Sequence, residues 1–234
     1  MRFAAVDALR FVLEPAFAAE LMPRGESAER LARDDGEAGD EELALNRFFL
    51  YFMLPLWFAP GVADWWWHRT SKIEETAGSH ESLTHALMMA VVGGPITLAL
   101  LFEVNALVLV AMMGGFLAHE GISYWDVSYA KNRRVVTAIE QKTHSYLELL
   151  PLMAASVAIC LRPKQFAAIF GRGDEAPRWR LEPKKPPLTL RYKAFIFSCV
   201  GAFVILPYAE ELVRCWRVDH TLAPHAPDPD LLQL

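Results

Sequence analysis

The chain has 234 residues, a formal net charge of −5 and 53% hydrophobic residues. The charge balance gives no reason to expect a nucleic-acid partner, and a mean hydropathy of +0.19, with the apolar residues bunched into long runs, argues against a soluble protein. Cys160, Cys199 and Cys215 form no CxxC pair, and an odd, widely spaced set provides no disulfide framework.

At the N-terminus, Asp7, Arg10 and Glu14 interrupt any signal-peptide core. Phe3, Val6, Phe11 and Phe17 read as a short amphipathic segment on the membrane surface or, equally well, as a loosely ordered terminus. Residues 24–42 are charged, contain Gly36 and Gly39, and read as a solvated linker. Five apolar runs then approach the ~20 residues that cross a hydrocarbon layer. The first is about Leu43–Trp67, with Pro55 and Pro60 inside it and three tryptophans as an interfacial anchor. The second is Leu83–Phe102. The third starts at Val104, forms a tight hairpin with the second, and is expected to remain helical through Ala130. The fourth is about His144–Leu161 and the fifth about Ala194–Tyr208.

The expected fold is therefore an all-α integral membrane bundle of about five transmembrane helices. Residues 1–42 form an N-terminal segment and linker, 43–215 the membrane domain, and 216–234 a tail. Loop 162–193, rich in Pro, Arg and Lys, reads as extended and basic. The positive-inside rule puts it, and with it the N-terminus, in the cytoplasm of a cell (inner) membrane.

An odd number of spans puts loops 68–82 and 120–143 on one side together with the tail. Ten histidines and carboxylates converge there: Asp64, His68, Glu81, His85, His119, Glu120, Asp126, Glu140, His144 and Glu148. Asp64–His68, Glu81–His85 and Glu140–His144 each have i,i+4 spacing, which places both side chains on one helix face. His144–Glu148 repeats that spacing, and His119–Asp126 spans two turns of one face. Such groups are costly near hydrocarbon and are functional by default. Imidazole suits zinc, copper and iron, and carboxylates bridge metal pairs. The expected metal site thus lies at the ends of the first four spans. Its ligands would be Asp64, His68, Glu81, His85, His119, Asp126, Glu140, His144 and Glu148, with Glu120, Glu210, Tyr124 and Tyr146 supporting them. Each residue also has a plainer reading. A histidine can bond a neighbouring helix, loop carboxylates can pair with Arg69, Lys72 or Arg133, and Glu210 and Glu211 can pair with Arg214.

The Glu-x-x-His pairs of soluble diiron bundles are absent, because the spacing here is one residue longer. The placement of residues between Asp64 and Glu148 resembles the histidine-rich membrane oxidases of the desaturase and hydroxylase type. The HxxxH and HxxHH boxes of that group are missing, and this chain has seven histidines where those proteins have eight or more. The resemblance implies a non-haem diiron oxidoreductase acting on a lipid-like substrate. Two transition-metal ions, iron before zinc or manganese, would be its cofactors. With no dinucleotide-binding motif in the chain, another protein would donate the electrons. The alternatives are a haem-binding electron-transfer protein, a metal or proton carrier, and a metal-dependent membrane hydrolase.

Overall fold

The computed structural model describes residues 36–221, with side chains for residues 42–220. The N-terminal amphipathic segment and the tail histidine His225 lie outside the described residues. Everything described is helix or loop. In chain order, α1 (Gly36–Phe48) runs through a π-helical turn (Phe49–Met53) into α2 (Leu54–Ser71). Next come α3 (Gly78–Leu101), α4 (Ala106–Ala130), α5 (Ala138–Leu161) and a short α6 (Pro163–Ile169). Finally, α7 (Leu190–Val200) runs through a second π-helical turn (Gly201–Ile205) into α8 (Leu206–Thr221). Five helical stretches are long and apolar enough to cross a membrane: Glu42–Ser71, Gly78–Leu101, Ala106–Ala130, Ala138–Leu161 and Leu190–His220.

Most spans extend beyond their apolar runs. The linker expected over residues 24–42 is helical from Gly36, since Glu37, Ala38, Glu41, Glu42 and Leu43 are strong helix formers. The fourth span begins six residues before His144, where Thr137 and Glu140 form a capping box. Thr137 Oγ1 accepts from the Glu140 amide at 3.3 Å, and the Glu140 carboxylate accepts from the Thr137 amide at 3.4 Å. The fifth span runs on to Thr221, so residues 216–221 are helix rather than tail.

Both π-helical turns end two residues before a proline, Pro55 and Pro207. A proline has no N–H for the carbonyl one turn back, and a widened turn redistributes the bonds. In the first, Leu54 N–H bonds Phe49 O, and the released Leu50 carbonyl accepts from the buried Tyr192 hydroxyl at 2.8 Å. That bond ties the first span to the fifth.

The spans close into a ring. The α3–α4 hairpin packs most extensively, α5 sits between α4 and α2, and α8 sits between α3 and α2. The α3–α4 contact is close because Gly115 has no side chain: a Cβ there would stand 2.3 Å from the Val91 carbonyl oxygen. Leu50, Met53, Val92, Ile96, Val108, Leu109, Leu150 and Ala154 form the apolar core.

At the end opposite the histidines, loop 170–189 is not free and extended. It is laced to the turn between α3 and α4: Glu103 N bonds Glu182 O at 2.8 Å, Lys184 N bonds Leu101 O at 3.1 Å, and Asn105 Nδ2 donates to Arg180 O at 2.7 Å. The Lys184 ammonium caps Ala99 O at 2.8 Å. Burial holds it below the usual lysine range, partly opposed by Glu103. The carbonyls of the last turn of α3, which have no partner within the helix, draw the loop in.

Candidate metal centre

Seven of the residues singled out from the sequence meet at one end of the bundle. Asp64, His68, Glu81, His85, Asp126 and Glu140 are buried, and the His144 side chain is 12% exposed. They come from α2, α3, α4 and α5, each helix carrying them on its inward face. Three sets could each hold a metal ion, with donor atoms inside 4.8 Å of one another: Asp64–His68–His85, His68–Glu140–His144 and Glu81–His85–Asp126. His68 and His85 are each shared between sets, so the cluster is continuous.

The cluster mixes hydrogen-bonding distances with wider ones that would suit ligands around an ion. His68 Nε2 lies 3.6 Å from both Asp64 Oδ1 and Glu140 Oε1, too far for a hydrogen bond. His144 Nε2 lies 2.9 Å from Asp64 Oδ1, and His85 Nε2 lies 3.3 Å from Asp126 Oδ2. Donors held ~2.1 Å from one ion stand roughly 3–3.5 Å apart. His68 Nε2 is buried with no hydrogen-bond partner, an expense a native structure leaves only for a reason, whereas Asp64 Oδ1 has His144 Nε2 beside it.

The cluster is rich in carboxylates. Asp64, Glu81, Asp126, Glu140 and Glu211 place five carboxylates in the buried cluster against the single guanidinium of Arg134.

Two residues of this cluster stood outside the expected ligand set. Glu211, on α8, is fully buried, and its two oxygens lie 3.0 Å from His68 Nδ1 and 3.1 Å from His85 Nδ1. Its neighbour Glu210, one of four supporting residues expected from the sequence, instead accepts from Trp65 Nε1 at 2.9 Å, Arg69 at 2.5 Å and Arg214 at 3.1 Å, facing solvent. The two glutamates differ by ~100° on the helix, and only packing decides which faces inward. Arg134, in the loop between α4 and α5, donates from Nε to both Glu81 oxygens at 3.1 Å and from Nη2 to Glu140 Oε1 at 2.5 Å; Nη2 also bonds Glu81 Oε1. Burial works against its charge, but Glu81 and Glu140 outweigh that and hold the guanidinium above its ordinary value. In the sequence it was one of several basic loop residues, with nothing to distinguish it from Arg133.

Other expected members are not brought in. His119 sits deeper along α4, with Nδ1 3.4 Å from Glu120. Glu148 accepts from Ser123 Oγ at 2.8 Å. Glu120 is half exposed, and Tyr124 and Tyr146 point outward, 79% and 53% exposed. Their place near the apolar boundary suits interfacial aromatics. Tyr208 provides the contact that was expected of them: its hydroxyl lies 3.1 Å from both Asp64 Oδ2 and Gly61 O. His80 stacks on Tyr129 at 4.0 Å, outside the cluster, and the exposed His220 bonds Trp216 O at 2.8 Å.

No protein-family model, curated protein or solved structure matches the chain, so the reading of the cluster rests on its own geometry.

Proposed function

We propose that this protein is a membrane-embedded, metal-dependent oxidoreductase whose centre holds two divalent transition-metal ions, iron first, and acts on a lipid-like or hydrophobic substrate. The observation that carries the proposal is the buried His68 Nε2, which has no hydrogen-bond partner and faces Asp64 Oδ1 and Glu140 Oε1 at 3.6 Å each, with His144 beside them. His68, Glu140, His144 and Asp64 would hold one ion, and His85, Asp126 and Glu81 the other. A carboxylate-rich set with three imidazoles suits iron or manganese better than a soft metal. When bound, the ions would supply redox chemistry. The chain's own residues hold them, exclude bulk water and keep the centre at the ends of the lipid-facing spans. Electrons would come from a separate donor protein.

The arrangement of His68 and His85 speaks against haem. The rings are stacked on each other, 4.4 Å between centroids, with both Nδ1 atoms on one carboxylate, whereas axial ligation places two imidazoles on opposite faces of a macrocycle. The five carboxylates would also have no role in a haem site.

The test is metal analysis of protein purified in detergent from iron-replete cells without chelator, together with an optical spectrum. About two equivalents of iron and no Soret band are expected. Preparations without stoichiometric metal would overturn the proposal. A Soret band would replace it with the haem reading, and zinc alone would favour hydrolysis.

A further inference from the structure

Glu211 occupies a position that no supporting residue elsewhere in the cluster shares. A carboxylate accepts hydrogen bonds and donates none. With one oxygen 3.0 Å from His68 Nδ1 and the other 3.1 Å from His85 Nδ1, it requires a hydrogen on both Nδ1 atoms. In the neutral rings both Nε2 atoms are then bare lone pairs. His68 Nε2 faces Asp64 and Glu140, and His85 Nε2 faces Asp126, so acceptors confront acceptors across distances that suit a cation. In the opposite tautomer, His85 Nε2–H could donate to Asp126 at 3.3 Å without any metal, while His68 Nε2–H would still stand 3.6 Å from its carboxylates.

We propose that Glu211 is the positioning residue of this centre. Resting on the metal-binding reading above, we infer that its one carboxylate sets the tautomer of His68 and His85 together, and so conditions both ion positions. His68 belongs to the donor set with Glu140 and His144, and His85 to the set with Glu81 and Asp126. The fifth span is thus part of the centre rather than a strut against it. The rest of α8 is anchored accordingly. Tyr208, one turn before Glu211, bonds Asp64. Arg214 pairs with Glu74, and Asp219 accepts from Ser79 N at 3.0 Å and Ser79 Oγ at 2.5 Å at the start of α3. The Asp219 contact needs Gly78, whose φ is +66° and where a Cβ would stand 2.8 Å from the Asp219 carboxylate.

The decisive variant is Glu211→Gln, which keeps size and shape but replaces one acceptor oxygen with an NH2 donor. The amide oxygen can serve one Nδ1–H. The NH2 then faces the other ring and forces that ring's hydrogen onto Nε2, where it blocks a ligand atom. Detergent-purified protein would be titrated with Co²⁺ by equilibrium dialysis and visible absorption. The wild type should bind two ions. Glu211→Gln should keep one position and weaken the other by at least ~10–100-fold. Glu211→Asp, which retains a carboxylate, should recover two-ion binding in part, and Glu210→Gln should behave as wild type. Unchanged affinity at both positions in Glu211→Gln would overturn the positioning role.

A second readout does not depend on metal. In metal-free protein labelled with ¹⁵N-histidine, in alkaline buffer, His68 and His85 should both carry hydrogen on Nδ1. In Glu211→Gln one of them should switch to Nε2. Nε2–H signals from both rings in the wild type would overturn the inference. Nδ1–H signals with no Co²⁺ uptake would uphold it and instead remove the metal reading.

Discussion

The imidazole rings of His68 and His85 are stacked, with centroids 4.4 Å apart and planes within 6° of parallel. The two residues come from different spans, and Glu211 from a third holds both. Two imidazolium cations at that separation would repel strongly in a buried site. Two neutral rings that each pass a lone pair to its own ion would not.

Ligand removal follows this geometry. His68→Ala and His85→Ala should each lower metal affinity at least as severely as the ~10–100-fold typical of supporting residues, and His144→Ala should act in the same direction. His119→Ala and His220→Ala should bind metal as the wild type does, because neither joins the cluster. Equilibrium dialysis on the five variants provides the comparison. Equal occupancy in all of them would make the histidines structural.

Arg134 predicts a difference between metal-free and metal-loaded stability. Arg134→Met removes the cation from Glu81 and Glu140, and breaking such a buried pair costs about 3–5 kcal/mol. Thermal unfolding in detergent should show a large loss for the chelated variant and a smaller one once divalent metal is added, since the ions restore positive charge beside the same carboxylates. An equal loss in both conditions would show that metal and guanidinium do not share those carboxylates.

Gly115 tests the helix contact below the site. Gly115→Ala drives a methyl group into the Val91 carbonyl and against Pro95 Cγ, 3.0 Å away, and should cost about 1–3 kcal/mol, as overpacking does. Gly114→Ala, with nothing within 4 Å of the added carbon, should change unfolding by less than about 0.5 kcal/mol. If both variants unfold alike, α3 and α4 do not meet at this register.

Sidedness is tested by single cysteines and a membrane-impermeant maleimide. Lys72→Cys and Asn132→Cys, both exposed at the histidine end, should label from one side of sealed vesicles, and Asp174→Cys, exposed at the far end, from the other. Labelling of Lys72→Cys and Asn132→Cys from opposite sides would separate the helices that build the cluster.

The sequence by itself determined that five helices are long and apolar enough to cross a membrane, and which polar residues share a face of each helix. A run of apolar residues must be helical in hydrocarbon to satisfy its own backbone. An i,i+4 pair such as Asp64–His68 or Glu140–His144 shares a face whatever the helix packs against. These are local properties, and they were enough to name seven residues of the cluster. What only the tertiary structure decided is how the helices are rotated and in what order they stand around the ring. His119 and Asp126 lie on one face of α4, yet Asp126 meets His85 while His119 sits two turns deeper and does not. Glu210 and Glu211 are adjacent and chemically alike, yet a turn of ~100° sends one to Arg69 in solvent and the other between two buried histidines. Arg134 reaches Glu81 only because the first turns of α3 and α5 lie at the same end of the bundle as its loop. Contacts across 53 to 145 residues of chain, such as Arg134–Glu81 and Trp65–Glu210, depend on packing among all five spans, and no local spacing encodes them.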